Sequence, residues 1–258
     1  MAGAVAGSRR CGPRGIVSAA RRRAVPVGCY RPCLHAKRTA ARANAAARIC
    51  GAVGVAGGAG LCRTGAERPG HGATGGKYLE DQGGCDEANY SRAGHATADS
   101  IAAALNFLRE QPFIRRDGTV VVGHSAGAWG ALALAGSNPK GVSGIVAFAP
   151  GRGGRANDFP NQVCAPRTLI SAAAEFGHDA RVPVIWLVSA NDTYFSPELS
   201  RQLADAFRAG GGKVDFRVLA AYGGEGHWLA ETDGGIKVAA PELERALKAP
   251  SPAAAKKR

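Results

Sequence analysis

Val120 to Gly130, Val-Val-Val-Gly-His-Ser-Ala-Gly-Ala-Trp-Gly, is the stretch that decides how the chain is read. A β-branched run at 119–122 stops at Gly123, and a helix-compatible run at 126–135 begins just after Ser125, so the period changes across one residue. That pattern is a strand, a very sharp turn and a helix. The turn fits Gly-x-Ser-x-Gly, with Gly123 and Gly127 supplying space where a side chain would strike the facing backbone. Ser125 is then expected at the end of its strand, strained and open to substrate. The N–H of Ala126, first in the helix and at the positive end of its dipole, is an oxyanion donor.

Outward from this turn the chain alternates. A helix is expected at 89–110, with Ile101, Ala104, Leu105 and Leu108 on one face, and then the central strand and the helix after Ser125. Strands follow at 144–148, 182–189 and 214–219, and helices at 167–176, 198–209 and 241–248. Alternating strands and helices imply a parallel sheet with helices on both faces, whose site lies at the carboxyl ends of the strands. Ser125, Asp192 and His227 stand at three such ends.

The chemistry needs each type. An imidazole takes the proton from the serine and returns it to the leaving group, and a carboxylate fixes the tautomer and stabilises the imidazolium. Asp205 and Asp215 are weaker rivals to Asp192, since they fall inside a helix and a strand. His95 and His178 belong on helix surfaces, and His124 lies too close to Ser125 to turn back on it. Trp129, Tyr194, Phe195 and Trp228 are candidates for lining a substrate pocket.

Charge separates the chain into unequal parts. The formal net charge is +13, yet residues 1–70 hold twelve Arg and one Lys against Glu67 alone, and the remainder is close to neutral. A nucleic-acid partner is therefore not expected of the body. Residues 1–70 are poor in large apolar residues, with Ile16, Leu34, Ile49 and Leu61 the only Leu or Ile, and show no sustained period. Three readings fit them: a disordered basic arm, a targeting presequence, or a segment outside the native reading frame. The abrupt change of composition near 70–74 favours the third. Residues 71–250 form the folded domain and 251–258 a disordered tail.

Cys29, Cys33 and His35 have no second pair at zinc-like spacing, so no metal site is expected. The odd total of seven Cys argues against a complete disulfide framework. No apolar run reaches the length of a membrane span, and arginines interrupt every stretch that could serve as a secretory signal, which leaves the cytoplasm as the default compartment.

Gly-His-Ser-Ala-Gly at 123–127, Ser-Ala-Asn-Asp at 189–192 and Gly-Glu-Gly-His-Trp at 224–228 resemble the α/β-hydrolase superfamily, in its small branch near the dienelactone hydrolases and prolyl-oligopeptidase-type peptidases. Arg-Pro-Gly-His-Gly-Ala-Thr at 68–74 resembles the loop after that family's fourth strand. The chain order Ser, Asp, His agrees. The resemblance implies a cofactor-free serine hydrolase acting on a small ester or short peptide through Ser125, Asp192 and His227. Ser125 departs from the cysteine of the namesake enzymes. The family's strands before the elbow find no counterpart in 1–70, so the fold is expected with its amino-terminal strands missing or replaced, one edge of the elbow strand uncovered, and the second oxyanion donor unassigned. Two other readings stand beside this one: a hydrolase-like fold disabled by that missing half, and a hydrolase domain tethered through its basic arm to nucleic acid or anionic lipid.

Overall fold

A computed structural model of the chain describes residues 14–19, 61–66, 68–71, 75–112 and 114–248. Six strands form one parallel sheet: β1 (Arg14–Ala19), β2 (Leu61–Ala66), β3 (Thr119–His124), β4 (Val142–Phe148), β5 (Val184–Ser189) and β6 (Val214–Leu219), in the order β2-β1-β3-β4-β5-β6. Among the described residues five helices accompany it: α1 (Tyr90–Arg109), α2 (Ala126–Gly136), α3 (Pro166–Gly177), α4 (Pro197–Ala209) and α5 (Asp233–Lys248).

Two expectations are corrected here. β1 and β2 lie within residues 1–70, so two parallel strands stand on the amino-terminal side of the sheet where no counterpart was expected. Nor is the elbow strand uncovered: β3 pairs with β4 on one side and with β1 on the other, where Ile16 lies opposite Val120 and Ala19 opposite Gly123. The apolar runs in these two strands, Ile16-Val17 and Leu61-Cys62, are too short to register as a period, and the ladder is made by backbone groups that any residue supplies. Cys29, Cys33, His35 and the tail at 251–258 lie outside the described residues.

The central strands obey the period of two. Val121, Ile145, Ala147, Val184 and Trp186 join α1, α2, α3 and α4 in one core, while Val120, Val122, Val146, Phe148 and Leu187 pack against Ile236, Ala239 and Leu243 of α5 in the other. Helix α2 is buried on every side, which explains its uniformly apolar sequence. Helix α5 begins eight residues before the expected start. A Cβ on Gly235 would sit 2.1 Å from the Leu229 carbonyl, so glycine allows a close approach in the first turn, and Pro241, expected to start the helix, lies inside it.

Cys85 and Cys164 form a disulfide that ties the segment before α1 to the loop after β4, so the body carries a bridge although the total count is odd. No helix among the described residues is long and apolar enough to cross a membrane.

Candidate active site

The elbow is built from local sterics. Ser125 has φ 53° and ψ −124°, a conformation L-residues rarely hold, and its N–H donates to the Phe148 carbonyl at 2.9 Å, which pins the turn to β4. A Cβ on Gly123 would lie 2.6 Å from the Ala128 Cα, so only glycine fits. The Ser125 carbonyl accepts from the Trp129 N–H at 2.9 Å and starts α2. The Ala126 N–H, in the first position of that helix, has no carbonyl within the helix to reach.

Asp192 is buried just beyond β5. Its Oδ1 accepts from the N–H groups of Tyr194 and Phe195, each at 2.9 Å, which leaves Oδ2 for His227 Nδ1 at 3.0 Å. A carboxylate so engaged only accepts, so Nδ1 carries the proton and Nε2 is the free base. Nε2 lies 3.1 Å from Ser125 Oγ. The three residues chosen from the sequence therefore form one hydrogen-bonded chain, although 102 positions separate the serine from the histidine. Burial pushes the His227 imidazole below the usual histidine value, and the neighbouring His124 pushes it the same way. The Asp192 hydrogen bond and charge, and the charge of Glu225, oppose them without prevailing.

The loops after β5 and β6 are stitched together. Asn191 Nδ2 donates to the carbonyls of Tyr222 and Gly223 at 3.3 and 3.0 Å, while its Oδ1 accepts from the Tyr222 N–H at 2.8 Å and from Ser189 Oγ at 2.9 Å. The Gly226 N–H donates to the Asn191 carbonyl at 3.1 Å, and a Cβ on Gly226 would meet Asn191 Oδ1 at 2.5 Å. Asn191 and Glu225 are functional neighbours that sequence reasoning left unassigned, although both lie in the quoted motifs.

No protein-family model matches the chain, and no curated protein matches it. Solved structures do. A lipase-esterase related protein from Clostridium acetobutylicum superposes with a TM-score of 0.57 at 12% identity, over 92% of this chain and 96% of that one. An esterase from Pyrococcus furiosus gives 0.57 at 12% identity, over 92% and 82%. Est1E from Butyrivibrio proteoclasticus, solved with ferulic acid bound, gives 0.56 at 12% identity, over 92% and 88%. The chain has the α/β-hydrolase fold.

Within this hydrolase fold the aromatic candidates separate. Trp129 is fully buried, its Nε1 donating to the Tyr90 carbonyl at 2.9 Å, so it belongs to the core and not to a pocket. Phe195 is also buried, its ring 5.6 Å from that of His227. Tyr194 stacks on the His227 imidazole at 4.3 Å and 20°, and Trp228, exposed at 37%, meets it edge-on at 5.2 Å. Those two aromatics keep exposed surface beside the imidazole, where the other two candidates are buried. His124 lies beneath, donating from Nε2 to the His227 carbonyl at 2.8 Å, with Nδ1 3.3 Å from Glu231.

Behind the elbow helix the hydrolase fold buries charge. Glu80 Oε2 meets Arg152 Nη2 at 2.6 Å and Arg68 Nη1 at 3.1 Å, and Arg152 Nη2 also donates to Thr97 of α1 at 2.9 Å. His71, expected in the loop after the fourth strand, lies 3.4 Å from the same oxygen, and burial pushes its imidazole below the usual value. Arg68 of that loop thus anchors β2's exit to the segment before α1. Among the described residues no group of His, Cys, Asp or Glu is arranged to hold a metal ion. The second oxyanion donor remains unassigned.

Proposed function

We propose that the protein is a serine hydrolase that cleaves a carboxylic ester through an acyl-enzyme on Ser125. The observation that carries this reading is the unbroken chain Ser125 Oγ, His227 Nε2, His227 Nδ1, Asp192 Oδ2, with bonds of 3.1 and 3.0 Å. Ser125 Oγ attacks the ester carbonyl as its proton passes to His227 Nε2, and the oxyanion is met by the Ala126 N–H. The tetrahedral adduct expels the alcohol, which takes the proton from Nε2. Water, deprotonated by the same nitrogen, then attacks the acyl carbon and frees the acid and Ser125. Asp192 holds the Nδ1 proton throughout and stabilises the imidazolium. No cofactor takes part.

An ester is preferred to an amide or peptide because the similar structures include proteins named as esterases. The segment between β4 and α3 carries only a short 3-10 turn, Ala156–Asp158, rather than a cap, which favours a small or extended substrate. A fluorophosphonate probe should label Ser125 in the wild type and fail to label Ser125→Ala or His227→Ala, with hydrolysis of p-nitrophenyl acetate following the same order. Folded wild-type protein that stays unlabelled would defeat the proposal.

A further inference from the structure

Glu225 lies two residues before His227 and at the meeting point of three loops. Its Oε1 accepts from the His227 N–H and from the Thr193 N–H, each at 3.0 Å. Its Oε2 accepts from the Thr193 hydroxyl and from Arg155 Nη1, the latter at 3.3 Å. Arg155 Nη1 also donates to Thr193 Oγ1 at 3.1 Å, which closes a ring of three side chains. Thr193 follows Asp192, and Arg155 comes from the loop after β4, where its guanidinium lies 5.4 Å from the centre of the Tyr194 ring that stacks on His227. One carboxylate thus grips the backbone beside both the acid and the base.

We propose that Glu225, locked by Arg155, is a positioning residue that clamps the Asp192 loop to the His227 loop and holds the imidazole between Asp192 and Ser125. This rests on the serine-hydrolase reading above. An exposed ion pair alone would add little. Here the carboxylate also satisfies two backbone donors and a hydroxyl, so its removal frees both loops at once. Burial raises the Glu225 carboxyl, but the Thr193 side-chain and backbone bonds, the His227 N–H and the His227 charge together leave it below the usual carboxylate value.

The charge supplies a readout that a purely mechanical support would not move. His227 faces Asp192 and Glu225, which raise its proton affinity, and His124, which lowers it, with Glu231 beside His124 and Arg155 on the far side of Glu225. Glu225 raises the imidazole's proton affinity, so Glu225→Gln should move the acid limb of kcat/KM to lower pH. Arg155→Gln leaves the Glu225 charge unopposed and should move it to higher pH.

The test measures kcat, KM and the pH profile of Glu225→Gln, Glu225→Ala and Arg155→Gln with p-nitrophenyl acetate, with folding checked by circular dichroism. Misplacing a catalytic group by an ångström costs up to about 100-fold, so kcat should fall roughly tenfold in Glu225→Gln and approach 100-fold in Glu225→Ala, with KM little changed. Glu225→Gln, nearly isosteric, carries the test if the alanine variant does not fold. A folded Glu225→Gln with wild-type kcat, or with an unmoved acid limb, overturns the proposal. An inactive and unlabelled wild type would instead sink the hydrolase reading, and this proposal with it.

Discussion

Ser125 is shaped by the sterics of its immediate neighbours and pinned by one backbone bond to β4, whereas the loops carrying Asp192 and His227 are held to each other by side-chain bonds that span 31 and 32 residues. The serine turn is a steric object: five residues, two glycines and a φ of 53° leave the backbone nowhere else to go. The other rim is a polar object, made of Asn191 and Glu225 side chains satisfying backbone groups of a neighbouring loop. A site assembled from both kinds should fail differently at each, and substitutions can show it.

The largest effect is common to both halves. Ser125→Ala and His227→Ala should each lower turnover by about 10⁴-fold or more, and the double variant should be no worse than either, because the residues act as a unit. Rates of p-nitrophenyl acetate hydrolysis measure this. Additive losses would mean that the two side chains do not share one step.

Next come the glycines, which separate the two kinds of construction. At Gly123 an added Cβ meets the Ala128 Cα at 2.6 Å, backbone that cannot yield, while at Gly226 it meets the Asn191 and Ser189 side chains at 2.5 and 2.6 Å. Gly123→Ala should therefore lower kcat by about 100-fold and Gly226→Ala by roughly tenfold, following what small misplacements of catalytic groups cost. Equal losses would erase the distinction between a rigid turn and an adjustable rim.

The same distinction explains what was legible in the sequence. The elbow could be read directly because its sterics come from adjacent residues, and Asp192 and His227 could be read because each lies in the loop that follows a strand of the alternating pattern. The fold class followed from the alternation of those runs with helical spacing. β1 and β2 were missed because Ile16-Val17 and Leu61-Cys62 are isolated pairs in a stretch of small and basic residues. Trp129 was placed near a pocket by its nearness to Ser125 in sequence, yet it lies on a helix buried on every side. Asn191, Glu225 and the Cys85–Cys164 bond depend on which loops meet in space, and no local pattern announces that.

Asn191 sharpens the comparison from the polar side. Asn191→Ala removes four side-chain bonds and leaves the Tyr222 N–H and two carbonyls without their partner. The cost of unsatisfied groups predicts a loss of about 1–3 kcal/mol in chemical denaturation. Because the Ser125 turn does not rest on Asn191, fluorophosphonate labelling should slow with the displaced His227 but not cease. Complete loss of labelling in a folded variant would show that the elbow depends on the other rim after all.

The smallest effect is one of pH, and it tests whether burial or the neighbouring carboxylates governs the base. His227 must be neutral at Nε2 to accept the serine proton, so kcat/KM rises with pH as the free enzyme's imidazole loses its proton. Burial places that ionisation below the ordinary value of 6.5, with His124 adding to the fall and Asp192 and Glu225 opposing it. The acid limb should accordingly have its midpoint below 6.5. His124→Gln should raise the midpoint, since His124 pushes the His227 imidazole down and its loss restores proton affinity. A wild-type midpoint above 6.5 would mean that the carboxylates outweigh burial.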